Sequence, residues 1–132
     1  MISHVVLFRT KPDLAKADRD ALVAAFTHAV QDIPDVRGVR AGRRVIHGAG
    51  YEQTTPDVAD LLIVIDFDDL VGLQAYLRHP AHIELGARFK EASASGLVYD
   101  FEVGNDLEVQ LGDGHVSPGP LDRRLGNRID PA

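Results

Sequence analysis

The stretch ADLLIVIDF, residues 59–67, contains five consecutive aliphatic residues, Leu61–Ile65, and gives the strongest strand signal in the chain. Successive side chains of a strand point to opposite faces of its sheet, so this run is apolar on both faces. A strand of this kind has to be covered from both sides. The stretch therefore predicts a strand inside a sheet that packs against helices on one face and against a further layer on the other.

Further strands and helices surround this stretch on both sides. We predict strands at His4–Arg9, Val36–Ile46, Ala59–Phe67 and Leu97–Val103. We predict helices at Ala15–Asp32, Asp69–Arg78 and Pro80–Ala92. Asp68 is expected to cap the second helix and His79 the third, because a side-chain acceptor there can bind free backbone N–H groups. The order β-α-β-β-α-β predicts an α+β fold, a ferredoxin-like protomer with a four-stranded antiparallel sheet.

The first strand is also apolar on both of its faces, with Val6 and Phe8 on one side and Val5 and Leu7 on the other. Two helices cover only one face of such a sheet. Monomers rarely leave an apolar face of this size exposed to water. We therefore predict a homodimer, in which two copies pack their open sheet faces together as a dimeric α/β barrel.

The composition excludes several classes of function. A net charge of −6 argues against a general nucleic-acid binder, and the absence of cysteine excludes disulfides and thiolate chemistry. No apolar run approaches the roughly 20 residues that cross a bilayer, and the start of the chain lacks a signal-peptide pattern. We expect a cytoplasmic protein with no membrane partner. The Gly48-Ala49-Gly50 stretch is not a phosphate loop, and we expect no cofactor.

The segment YLRHPAH, residues 76–82, places one phenol and two imidazoles within seven residues beside a helix break. In a straight helix Tyr76 and His82 would lie on different faces, but Pro80 interrupts the helix and allows them to converge. An imidazole can accept a proton near pH 7, and a phenol can donate a hydrogen bond to an oxygen that gains negative charge. The segment therefore predicts proton transfer beside a carbonyl group, with His82 as base and Tyr76 as hydrogen-bond donor.

The same segment has two other interpretations. In the first it is architecture: Pro80 fixes the turn, His79 caps the next helix and Tyr76 fills space between helix and sheet. In the second, His79 and His82 share a helical face as metal ligands do, but the capping role of His79 and the lack of a partner argue against zinc. We therefore predict no metal site.

The strand and helix order together with the Tyr-x-x-His-Pro-x-His segment resembles the stress-responsive dimeric α/β-barrel (Dabb) family, over roughly the first four-fifths of the chain. One branch of that family resembles plant polyketide cyclases, in which a Tyr and a His that match Tyr76 and His82 carry catalysis. His4 matches a family histidine that lines the pocket. The cyclase has a further histidine on its third strand, where this chain has Leu61.

The resemblance implies a pocket for a small, largely apolar carbonyl or aromatic ligand. We expect His4, Phe8, Leu61 and Ile63 to line it. Relatives also include cofactor-independent monooxygenases and haem-binding proteins, but the sequence carries no distinct signature of either. Two main hypotheses on function follow: a cofactor-independent cyclase, isomerase or lyase, or a non-catalytic dimeric stress-response or interaction module. A cofactor-independent monooxygenase-like protein is a further alternative.

The predicted domain covers residues 1–103. Residues 104–132 contain five of the twelve glycines and three of the seven prolines. We interpret them as an extension in which Leu107–Leu111 adds a short strand and the remainder forms a tail or an arm on the dimer partner.

Overall fold

Residues 1–112, which the computed structural model describes, form an antiparallel sheet with helices on one face. The strands are β1 (Ile2–Thr10), β2 (Gly38–Arg43), β3 (Leu61–Phe67) and β4 (Ser93–Glu102). The helices are α1 (Lys16–Asp32), α2 (Leu70–Arg78) and α3 (Pro80–Ala92), with a short 3-10 helix at Gly50–Gln53. The α+β, ferredoxin-like fold predicted from the sequence is confirmed, and all four strands occur in the predicted order.

The sheet has the strand order β2-β3-β1-β4, and every neighbouring pair is antiparallel. In this register Val6 lies opposite Ile63 on β3 and Val98 on β4. Directly opposite residues share one face of the sheet. Because Val6 is buried against the helices, its cross-strand neighbours lie on the helix-facing side as well.

The core lies between this face and the helices. Phe8 of β1 meets Phe89 of α3 edge to face, with ring centroids 5.0 Å apart, and stacks on Phe26 of α1 at 6.4 Å. At the other end of the sheet, Phe67 of β3 meets Tyr76 of α2 at 5.2 Å. Aromatic rings bury the largest apolar areas of any side chains, so these contacts fix where each helix rests on the sheet.

Several element boundaries differ from the sequence-based predictions. Helix α2 begins at Leu70 rather than Asp69, and its cap is Asp69, whose carboxylate accepts a hydrogen bond from the Gly72 N–H at 3.0 Å. Asp68, the predicted cap, instead accepts a hydrogen bond from Arg37 Nε at 2.9 Å. Strand β4 begins at Ser93, directly after α3, whereas the prediction began at Leu97. The predicted second strand, Val36–Ile46, is shorter in the structure.

The opposite face of the sheet carries apolar side chains that the described residues leave uncovered. Tyr99 and Phe101 of β4 are 48% and 52% exposed, and their rings lie 6.2 Å apart. They share this face with Val5, which pairs with both Tyr99 and Val64. We call this surface the open sheet face.

After β4 the chain forms a π-helix at Glu108–Gly112, so the short strand predicted at Leu107–Leu111 is wrong. The reason is local: the Asp106 carboxylate accepts hydrogen bonds from the N–H groups of Glu108 and Val109, at 2.9 and 3.2 Å, and starts a helical turn. Residues 113–132, which include most of the predicted tail or dimer arm, lie outside the described residues.

Candidate functional site

Three aromatic side chains from three different elements meet near one end of the sheet. Tyr76 comes from α2, His82 from α3 and His4 from β1. The Tyr76 ring lies between the other two, with centroid distances of 4.7 Å to His82 and 5.8 Å to His4. The convergence of Tyr76 and His82 that the sequence allowed is thus found in the structure, and we call the three residues the Tyr–His site.

The break between α2 and α3 produces this convergence. Helix α2 ends at Arg78, and His79 then adopts an extended backbone conformation with φ −69° and ψ 140°. Pro80 begins α3, where its missing N–H is tolerated, and the His79 Nδ1 accepts a hydrogen bond from the Ala81 N–H at 3.0 Å. The chain turns at this cap, so His82, in the first turn of α3, faces back towards Tyr76.

His82 is 6% exposed. Its Nδ1 lies 3.2 Å from the carbonyl oxygen of Leu77, which can only accept, so Nδ1 carries the proton and donates. The pKa of His82 is lowered from 6.5 to about 4, mainly by burial and in part by the charge of His4, while the hydrogen bond to the Leu77 carbonyl opposes the shift. His82 is therefore neutral at pH 7, with the lone pair on Nε2.

His4 is 3% exposed and has a different partner. Its Nδ1 lies 2.6 Å from the Asp100 carboxylate on β4, directly across the strand pair. An ionised carboxylate only accepts, so Nδ1 of His4 also carries a proton. Sequence reasoning assigned no role to Asp100.

Tyr76 is 1% exposed, and burial raises the pKa of its hydroxyl well above the ordinary value of 10, so the group stays protonated. Within residues 1–112, its hydroxyl and the Nε2 atoms of His4 and His82 have no hydrogen-bond partner. None of the three atoms is sealed off completely, because every fully buried side-chain nitrogen or oxygen in this part of the chain has a partner. A small ligand could satisfy all three.

The other predicted pocket residues lie on the same face of the sheet but farther along it. Phe8 pairs with Leu61, and Val6 with Ile63, all on the helix-facing side. Phe8 lies four residues from His4, which is about 13 Å along a strand. Its ring contacts α1 and α3 rather than the Tyr–His site.

A cavity of about 740 Å³ lies at the opposite end of the sheet, away from the Tyr–His site. Its lining is mostly charged: Arg9, Arg43, Arg44, Ile46, Glu52, Thr55, Asp57 and Asp60. Arg9 binds the Asp60 carboxylate through two hydrogen bonds of 3.0 Å, which lower the pKa of Asp60. These charges largely satisfy one another across an open surface.

A second Tyr–His pair occurs on the loop before β3. His47 Nε2 lies 3.2 Å from the Tyr51 hydroxyl, and both residues are exposed. In residues 1–112, no group of three or more His, Asp or Glu side chains is placed to hold a metal ion. The helices of the same residues include none long and apolar enough to cross a membrane.

Comparison with known proteins places the chain in a family. The family model described as "Stress responsive A/B Barrel Domain" (Dabb) matches residues 2–103. The chain belongs to the Dabb family. Among curated proteins, this Dabb chain is similar to olivetolic acid cyclase of Cannabis sativa, with 21% identity over 100 residues that cover 76% of this chain and 94% of the cyclase.

Solved structures of low sequence identity share the Dabb fold. Hydroxynitrile lyase from Passiflora edulis superposes with a TM-score of 0.67 at 15% identity, covering 80% of this chain and 94% of the lyase. A dimeric ferredoxin-like protein of unknown function from Thermobifida fusca gives a TM-score of 0.60 at 24% identity, covering 77% and 90% of the two chains.

Proposed function

We propose that this Dabb protein binds a small, largely apolar carbonyl compound at the Tyr–His site and catalyses proton transfer on it without a cofactor. One observation carries the proposal: the protonated Tyr76 hydroxyl and the Nε2 atoms of His4 and His82 have no partner in the described chain, and the two imidazole rings lie 5.8 and 4.7 Å from the Tyr76 ring. Side chains that only fill a core have no need of three such atoms.

The chemistry follows from the state of each group. His82 is neutral at pH 7, so its Nε2 can take a proton from a carbon next to a carbonyl group. The electron pair of that C–H bond moves onto the carbonyl oxygen, and the Tyr76 hydroxyl donates a hydrogen bond to the resulting enolate. In a nearly buried site, a preorganised donor of this kind stabilises the developing charge more than water does.

The surroundings favour a substrate of low polarity. Phe67 packs against Tyr76, and Ile65 lies opposite His4 with no exposed surface. The Asp100 side chain borders His4 and is 30% exposed, so solvent reaches the site from this side. The similarity to a polyketide cyclase supports an aromatic or polyketide-like carbonyl compound, while Leu61 in place of the cyclase's histidine argues against an identical substrate.

The test is enzyme-dependent exchange of carbon-bound protons. A panel of aliphatic and aryl 1,3-dicarbonyl compounds is incubated in D₂O with the protein, and loss of the α-proton signal is followed by NMR. We expect H82Q and Y76F to reduce the enzymatic rate by about 10²- to 10⁴-fold, the usual contribution of a positioned acid or base. The exposed pair His47 and Tyr51 provides matched controls, H47Q and Y51F, which should exchange at the wild-type rate.

The proposal fails if no compound exchanges its α-proton faster with wild type than with H82Q. It also fails if the control variants H47Q and Y51F reduce the exchange rate as much as H82Q and Y76F do. A crystal structure with an exchanging compound bound should then show its carbonyl oxygen at the Tyr76 hydroxyl. Binding in the charged cavity beside Arg9 instead would contradict the assignment of the site.

We also propose that the protein is a cytoplasmic homodimer joined through the open sheet face. The exposed rings of Tyr99 and Phe101 need a cover, and several proteins of the same fold are described as dimeric. The same face also supports the second candidate function, a non-catalytic stress-response or interaction module. In that case Tyr76 would act through packing alone, and neither H82Q nor Y76F would change any activity.

A further inference from the structure

The two imidazoles of the Tyr–His site donate their Nδ1 protons to different kinds of acceptor. His82 donates its Nδ1 proton to a neutral backbone carbonyl, whereas His4 donates to a carboxylate 2.6 Å away. A carboxylate that accepts from Nδ1 fixes the imidazole tautomer and stabilises the imidazolium that forms when Nε2 takes a proton. A neutral carbonyl fixes the tautomer but supplies no full charge.

The remaining surroundings of His4 do not offset this difference. The titratable groups that face it are Asp100 from β4, Tyr76 from α2 and His82 from α3, and its β3 neighbour Ile65 is apolar. Tyr76 is neutral. His82 and His4 repel each other when charged, since the charge of His4 lowers the pKa of His82, so the pair takes up protons one at a time.

We infer that Asp100 is a positioning residue which makes His4 a second proton acceptor of the Tyr–His site, and that the first proton the site takes up resides on His4. Its chemical role rests on the proposed function. Cyclisation, isomerisation and elimination each need more than one proton transfer, and groups whose surroundings separate their proton affinities can divide the acid and base steps. His4 accepts the proton at Nε2 while its Nδ1 donates to Asp100.

The experiment locates the proton directly and needs no substrate. Long-range ¹H–¹⁵N NMR of the uniformly labelled full-length protein is recorded from pH 7.5 to 5, with the rings assigned through H4Q and H82Q. At pH 7.5 we expect His4 with a proton on Nδ1 and a free Nε2. On acidification His4 should reach the imidazolium form before His82.

D100N should remove the tautomer preference of His4 and shift its protonation to lower pH. The matched control is E102Q, which removes the next carboxylate on the same face of β4, opposite Ile2 rather than His4. In the exchange assay D100N should lower the rate by about 10- to 100-fold, a typical effect for a residue that orients another, while E102Q should not. A role of Asp100 in folding alone would move stability but neither the tautomer nor the order of protonation.

The inference is overturned if His82 takes the first proton, or if D100N leaves the His4 tautomer and titration as in wild type. If D100N does not fold, the inference is tested on the wild-type protein alone, by the tautomer of His4 and by which of the two histidines takes up the first proton. Failure of the proposed function is a separate result. The wild-type protein would then not accelerate proton exchange, while the NMR titration would still show which histidine takes up the proton.

Discussion

The burial of His82 predicts a specific loss of stability in acid. Burial lowers its pKa from 6.5 to about 4, so between these two values the unfolded chain binds a proton at this position that the folded chain does not. The free energy of unfolding therefore rises with pH across this window. The stabilising contribution of His82 is complete above pH 6.5 and is lost as the pH falls through about 4.

The magnitude follows from the same two pKa values. Each pKa unit corresponds to about 1.4 kcal/mol, and the folded protein is half protonated at its own pKa, so the loss by pH 4 is about 3 kcal/mol. For a domain whose total stability is about 5–15 kcal/mol, this is a large fraction. In H82Q the position cannot titrate, and this part of the pH dependence should vanish, even though the variant loses the bond to Leu77 and is less stable at pH 7.5.

The assay is urea unfolding followed by circular dichroism at fixed protein concentration, in half-unit steps from pH 7.5 to 4. For wild type and for H82Q, the quantity compared is the difference between the unfolding free energies at pH 7.5 and at pH 4. H28Q is the matched control, because His28 is exposed on α1 beside Asp32 and should change the curve by no more than about 0.5 kcal/mol. Parallel curves for wild type and H82Q would refute the argument, since they would mean that His82 titrates alike in both states.

Three further predictions follow from features of the fold. Asp69→Ala should destabilise the protein by about 1 kcal/mol in thermal unfolding because α2 loses its cap, and Asp68→Ala should cost clearly less; equal losses would contradict the assignment. Phe101→Glu should convert the proposed dimer to a monomer in sedimentation, while Val23→Glu, at an exposed apolar position of α1, should not. A monomeric wild-type protein would contradict the proposed interface. Gly72→Ala should stabilise the protein by about 0.5 kcal/mol, because alanine favours a helix and its Cβ would meet neighbouring atoms only at 3.6–3.7 Å. A clear fall in melting temperature would show that α2 cannot accept a methyl group at this position.

Periodicity in the sequence was sufficient for the fold. The aliphatic run around Ile63 and the alternation of Leu97, Tyr99 and Phe101 indicate which faces are apolar, because side-chain direction in a strand is fixed by its pleat. Element ends were predicted less well. Asp68 and Asp69 are equally good caps as residue types, and only the path of the chain out of β3 decides which one reaches the free N–H groups.

The candidate site was predicted in part. The Tyr-x-x-His-Pro-x-His spacing pointed to Tyr76 and His82, because Pro80 predicts the helix break that brings the two side chains together. The contact between His4 and Asp100 joins residues 96 positions apart in sequence. It depends on the exact register of β1 against β4, which no local pattern encodes. The role proposed for each of these side chains stays a prediction until the exchange and NMR experiments are done.

Neighbouring residues of strand β1 face two different surfaces of the sheet. His4, Val6 and Phe8 face the helices, while Val5 and Leu7 face the open sheet face. Redesign of the open sheet face can therefore change Val5 and Leu7 while the core residues Val6 and Phe8 are kept. A single-codon deletion in this strand would exchange the two sets and bring the imidazole to the open surface. Substitutions in β1 should accordingly be far better tolerated than changes of its length.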